Sequence, residues 1–219
     1  MNFPEVAFFP LLAILALVFL VREYSTFKGI LQLRYLLTPL ITAIILFFAI
    51  LSVDMYGMNL YRLLILSALT LSLVADAMLM LEVEKMTIYG MIYFLCAHIV
   101  YIFAFASGYS FMAWHAALAL FFVCAILVFD AKVGRNNTEV RLLLFFYSAA
   151  LCTAGFFALA GLSSGITLSS AARASGALLF IVSDSFFAVN NFKKQIKHNS
   201  VITWATYAPA QFLFALSCF

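Results

Sequence analysis

Two aspartates, Asp76 and Asp184, stand alone inside long apolar stretches, Leu73-Val74-Ala75-Asp76-Ala77-Met78-Leu79 and Phe180-Ile181-Val182-Ser183-Asp184-Ser185-Phe186-Phe187. The other seven of the nine acidic residues fall at or beyond the ends of apolar runs. A carboxylate at the centre of a membrane helix costs roughly 2.5–3.5 kcal/mol on insertion scales, so it faces the protein interior and marks a functional site. Two of them on separate helices suggest an acid–base pair inside a bilayer. One carboxyl can then give a proton while the other stays ionised.

The elements that must hold such a pair are set by composition. The chain of 219 residues is 67% hydrophobic and 10% charged, with a mean hydropathy of +1.13. Soluble domains, disordered chains and collagen-like repeats are excluded, because too little polar surface is left to cover a water-exposed fold. The apolar runs fall at 4–21, 35–53, 63–81, 86–106, 111–129, 142–164, 172–192 and 200–218. They are continuous, not alternating, and near the roughly 20 residues that span a bilayer. The expectation is an all-α polytopic membrane protein of eight transmembrane helices, a single domain over 1–219. The first run has no basic residue before it and no small-residue cleavage site, so it reads as a retained helix. Ten of the twelve Lys and Arg residues fall between spans one and two, three and four, five and six, and seven and eight; only Arg62 and Arg173 lie on the other side. The positive-inside rule then places those four loops in the cytoplasm and both termini outside it, in the inner membrane if the source is bacterial.

Depth follows from counting. Asp76 precedes Glu82 by six residues, roughly 9 Å of helix, and Asp184 precedes Lys193 by nine, about 13 Å. Both carboxylates therefore lie in the cytoplasmic half, at similar depth, on spans that run in one direction. Their shared Val-x-Asp-x-apolar-apolar pattern, four spans apart, is consistent with a parallel four-plus-four repeat. Tyr147 in span six matches the level of Asp76. Span eight carries Thr203, Tyr207 and Gln211 at i, i+4 spacing near the level of Asp184, read either as site residues or as interhelical hydrogen-bonding groups. His98, with Tyr101 at i+3, falls about two turns deeper than Asp76, as a core histidine or a substrate contact. Asn191 lines a polar path or caps its helix, and Ser183 and Ser185 are able to bond back to their own helix. His115 and His198 lie near span ends.

Other chemistries lack their residues. No His- or carboxylate-rich cluster has metal-ligand spacing, and no G-x-S-x-G elbow, phosphate-cradling glycine loop or heme-attachment motif is present. Cys96, Cys124, Cys152 and Cys218 lie in apolar runs and read as small buried hydrophobes. The net charge of +3 is spread over loops without a basic tract, which argues against nucleic acid. Neither a metal nor an organic cofactor is expected. From another class, a proton-coupled transporter or lipid flippase would use the same aspartates as a relay.

Four segments in series, Ala75-Asp76-Ala77-Met78-Leu79-Met80-Leu81, Ala97-His98-Ile99-Val100-Tyr101, Gly176-Ala177-Leu178-Leu179-Phe180-Ile181-Val182-Ser183-Asp184 and Tyr207-Ala208-Pro209-Ala210-Gln211, resemble the YhhN family of eight-span membrane proteins. The match in order and spacing runs from about residue 34 to the end. Ala75 stands where the family has glycine, and Thr38-Pro39 where it has Lys-Pro; the second change removes a cation able to meet a lipid phosphate. The resemblance implies a lysoplasmalogenase, cleaving the vinyl ether of a lysophospholipid drawn from the membrane into a fatty aldehyde and a glycerophosphoryl base. It also implies that Ser183 belongs to the cavity. Vinyl ethers resist base but hydrolyse when the β-carbon is protonated, giving an oxocarbenium ion that captures water. That needs one protonated and one ionised carboxyl, as in glycosidases.

Overall fold

The computed structural model describes residues 3–81, 83–133 and 138–219. Glu82, used above as a depth marker, and Arg135, one of the ten same-side cations, lie outside the described residues. Among those described there are eight α-helices and no strand: α1 (Phe3–Phe27), α2 (Leu31–Tyr56), α3 (Leu60–Leu79), α4 (Glu84–Ala106), α5 (Ala113–Val133), α6 (Thr138–Ala160), α7 (Leu168–Phe192) and α8 (Asn199–Leu216), with a 3₁₀ turn at Gly161–Ser164 before α7. The chain is an all-helical polytopic membrane protein. Helices α1 to α7 are long and apolar enough to cross a membrane. Helix α8 has 18 residues and is not among them, its apolar character diluted by Asn199, Ser200, Thr203, Thr206 and Gln211.

The bundle is apolar on its outside. Phe9, Leu17, Leu120, Phe121 and Phe103 are each more than 60% exposed on helix surfaces, which only a hydrocarbon environment tolerates. The interior is built on close approach. A Cβ at Gly90 would fall 2.8 Å from Leu79, and one at Gly176 would fall 2.8 Å from Phe214 and 3.0 Å from the Ala210 carbonyl. Small residues let backbones meet without a hydrophobic driving force, and the resulting hairpins α3–α4 and α7–α8 are the most closely packed pairs. Helix α2 packs on α3 and α8, and α6 on α7 and α4, while α5 lies at the periphery on α6. At one end, Thr167 and Ser170 form a capping box that starts α7. At the same end Arg62 donates to the carbonyls of Cys218, Tyr56 and Gly57, tying the α2–α3 turn to the C-terminus.

One boundary matters for the site. The apolar run ends at Val21, yet α1 continues to Phe27, and nothing before Gly29 breaks the helix. Arg22, expected in a loop, is therefore inside a helix and 1% exposed.

Candidate active site

A cavity of about 270 Å³ opens at the end of the bundle that carries the α1–α2, α3–α4 and α7–α8 connections. Both aspartates line it, with Tyr147, Ser183, Asn191 and Tyr207. So do Thr203, Asn190, Asn199, Ser200 and Trp204 from the α7–α8 hairpin, and Met91 and Phe94 from α4. Helices α1, α2 and α4 complete the wall, contributing Arg22, Arg34, Thr38 and Thr87 as well.

Asp76 is 4% exposed near the C-terminal end of α3. Its Oδ2 accepts from Thr42 Oγ1 at 2.6 Å and from Tyr207 Oη at 2.8 Å. Both bonds fall on one oxygen, so Oδ1 is the atom left to meet a ligand. Behind Tyr207 the chain of donors continues: Gln211 Nε2 donates to Tyr207 Oη at 3.0 Å, and Tyr101 Oη donates to Gln211 Oε1 at 2.7 Å. A relay of this kind fixes the tyrosine's rotamer and the direction of its hydroxyl.

Asp184 accepts from Tyr147 Oη on Oδ2 at 2.6 Å. His98 Nε2 lies 3.4 Å from the same oxygen, and that buried nitrogen has no hydrogen-bond partner. The ring nitrogen thus stands close to the carboxylate without a formed hydrogen bond. The imidazole is held edge-on between Tyr147 and Phe180, with ring centroids at 5.1 and 4.9 Å.

These contacts place the residues singled out in the sequence. Depth set Tyr147 level with Asp76, and Tyr207 with Gln211 near Asp184, without naming partners; the structure pairs Tyr147 with Asp184 and Tyr207 with Asp76. Depth fixes a level along the membrane normal and says nothing of which helices are neighbours. His98 was set apart from Asp76 and is indeed not bonded to it, but it stands against the other carboxylate. His98, Tyr101 and Gln211 are not on the cavity wall; they lie behind it, each 0–1% exposed. Ser183 lines the cavity while its Oγ donates to the Thr203 carbonyl at 3.1 Å, and Asn191 Nδ2 donates back to the Phe187 carbonyl at 2.8 Å. Ser185 bonds back to Ile181, and His115 is a buried fastener whose ring nitrogens meet Tyr109, Met112 and Ser163.

Thr42 and Arg22 escaped the sequence reading. Thr38 and Thr42 form a polar i, i+4 pair in the second span, a signal that was present but unused. Arg22 Nε donates to Thr38 Oγ1 at 3.4 Å, so a cation from α1 reaches the position where the family's lysine is missing.

A second, apolar pocket of about 90 Å³ lies between α5, α6 and α7 and is lined by Ala125, Ile126, Phe129, Leu144, Leu151 and Ile181. It shares Met91, Tyr147, Asp184 and Phe187 with the polar cavity. One carboxylate thus stands where a polar chamber meets a greasy one. Among the described residues, no three His, Cys, Asp or Glu side chains converge as a metal site would require.

The sequence model of the YhhN family matches residues 33–218. Over 155 residues the chain is 31% identical to Lysoplasmalogenase TMEM86A of Homo sapiens, a stretch covering 68% of this chain and 62% of that protein. The chain thus spans less than two thirds of that relative's length. No solved structure matches the chain.

Proposed function

Because the chain belongs to the YhhN family, we propose that it is a lysoplasmalogenase: it hydrolyses the vinyl ether of a lysoplasmalogen by acid–base catalysis between Asp76 and Asp184. The observation that carries this reading is the junction of the two chambers at Asp184 and Tyr147. A single-chain lipid with its headgroup in the polar cavity and its tail in the apolar pocket has its enol ether at that junction. The same reading takes the chain as one domain of eight spans.

Asp184, on the tail side, gives its proton to the β-carbon. The double-bond electron pair forms the new C–H bond and leaves an oxocarbenium ion. Asp76, on the headgroup side, faces that cation as a carboxylate and takes a proton from the water that attacks the α-carbon. In the hemiacetal collapse Asp76 returns its proton to the departing glycerol oxygen, and the hemiacetal hydroxyl returns one to Asp184. One water is consumed, one aldehyde and one glycerophosphoryl base are released, and both carboxyls are restored. Preorganised donors at a site of changing charge supply much of an enzyme's rate; Tyr147 and Tyr207 are those donors here.

Purified protein in detergent, given an alkenyl-lysophospholipid, tests the proposal. Aldehyde release without any membrane gradient is the expected result. A well-folded protein that releases none, and moves lipid only across an energised bilayer, would be a transporter.

A further inference from the structure

Arg22 is a charge in a costly place, 1% exposed on an apolar helix and yet on the cavity wall. Its guanidinium is held from two other helices, α2 and α8. Nε donates to Thr38 Oγ1 at 3.4 Å, Nη1 to the Ser200 carbonyl at 3.3 Å and Nη2 to Ser200 Oγ at 3.0 Å. The Trp204 ring centroid lies 4.4 Å from Cζ. Nη1 also pairs with Glu23, but that pair is incomplete, because Glu23 Oε2 is buried with no hydrogen-bond partner. A buried ion pair is well compensated only when its remaining lone pairs are satisfied. Glu23 is therefore a poor permanent counterion, and a stronger anion can displace it.

The placement of that cation relative to the carboxylate is set by one helix. Thr38 holds Arg22 and Thr42 holds Asp76, and four residues on α2 separate these anchors by roughly 6 Å along the axis. In a lysophospholipid the path from the ether oxygen to phosphorus is O–C–C–C–O–P, also about 6 Å when extended at ordinary bond lengths. Ser200 lies in the first turn of α8, whose N-cap His198 makes no side-chain cap, so the positive end of that helix meets the same mouth.

We propose that Arg22, positioned by Thr38 and Ser200, is the subsite for the phosphate of the lysophospholipid headgroup, which displaces Glu23. It rests on the proposed hydrolysis only for the direction in which the lipid lies. A guanidinium–phosphate contact is a charge-assisted bond that the planar fork is able to make bidentate, and losing one lowers affinity by about tenfold or more.

The test uses ligands that have no vinyl bond, a 1-O-alkyl-lysophosphocholine and a 1-O-alkylglycerol of equal chain length, bound to the full-length protein in detergent. The chain has two tryptophans, so a Trp114→Phe background leaves Trp204, beside Arg22, as the fluorescent reporter. Expected is a preference of about tenfold or more for the phospholipid, falling to within about threefold in Arg22→Gln and partly recovered in Arg22→Lys. Should Arg22→Gln fail to fold, Ser200→Ala, which removes only the Nη2 anchor, must still narrow the preference. No preference in the unsubstituted protein, a preference untouched by these variants, or equal competition by inorganic phosphate at the lipid's concentration each overturns the proposal. Absent aldehyde release with the preference intact would sink the reaction and leave the subsite standing.

Discussion

Asp184→Asn is the substitution on which the proposed chemistry turns. It exchanges one carboxylate oxygen for an amide NH₂ of nearly the same shape. The amide oxygen is still able to accept from Tyr147 Oη, which lies 2.6 Å from Oδ2 in the parent. It removes a half-buried ionisable group without opening a cavity, so the fold survives. What it cannot do is deliver a proton to carbon. Loss of a general acid costs typically 10²–10⁴ in rate, about 3–5 kcal/mol of transition-state stabilisation at 1.36 kcal/mol per decade. Tyr147→Phe supplies the calibration, since it keeps both carboxyls and deletes one donor. A hydrogen bond to a charged group is worth about 1.5–3 kcal/mol, so that variant should lose roughly 10–100-fold. The double variant should fall little below Asp184→Asn alone, because residues acting as one unit are non-additive, and Asp76→Asn added to Asp184→Asn should behave the same way. The assay is initial-rate aldehyde release from an alkenyl-lysophospholipid, with helical circular dichroism and monodisperse elution as controls for folding. A folded Asp184→Asn protein retaining activity within about threefold of the parent, against the 10²-fold minimum expected of an acid, would make Asp184 structural and end the paired-carboxylate mechanism.

Three further outcomes are expected. Ala125→Trp puts an indole into the apolar pocket of about 90 Å³, so kcat/KM should fall for long-chain substrates and be spared for short ones; equal loss at all chain lengths would remove the tail from that pocket. Gly176→Ala forces a Cβ to 3.0 Å from the Ala210 carbonyl and 2.8 Å from the Phe214 ring, and overpacking of this kind costs about 1–3 kcal/mol. Its unfolding temperature in detergent should drop, and an unchanged value would show that α7 and α8 separate freely there. Reporters fused to the C-terminus and active only in the cytoplasm should stay silent, given the placement of the Lys- and Arg-bearing loops; strong cytoplasmic signal would invert the bundle and carry the cavity mouth to the other face.

How much of this was legible in the residues depends on what kind of information each feature needs. The all-helical membrane bundle followed from composition and run length, because hydrocarbon leaves the backbone few alternatives. The two aspartates stood out for the same reason, as the charges that solvation alone forbids. Arg22 was missed because an apolar run ends where polarity begins, whereas a helix ends where capping or glycine stops it, here near Gly29. A buried arginine directly after an apolar run looks like a loop cation in any hydropathy reading. Thr42 was missed because a threonine in a membrane helix is ordinarily satisfied by its own backbone, as Thr70 and Thr153 are by the carbonyls of Leu66 and Ala149.

The tyrosine partners need a different kind of information, and they bear on the architecture. Asp76 on α3 is held by Thr42 on α2 and by Tyr207 on α8, 23 residues beyond Asp184. Asp184 on α7 is held by Tyr147 on α6 and faced by His98 on α4, 22 residues beyond Asp76. Each carboxylate therefore takes one hydroxyl from the helix before it and one ring from the other half of the chain. The packing follows suit, with α2 on α3 and α8 as α6 is on α7 and α4. The exchange is what a parallel four-plus-four repeat predicts, since a twofold axis along the membrane normal relates α2, α3 and α8 to α6, α7 and α4. Depth counting assigns each group a level and no neighbour, so it says which groups are able to meet and not which of them do. The proposed division of acid and base between the two carboxylates rests on the asymmetry of their settings, threonine and tyrosine around Asp76 against tyrosine and histidine around Asp184.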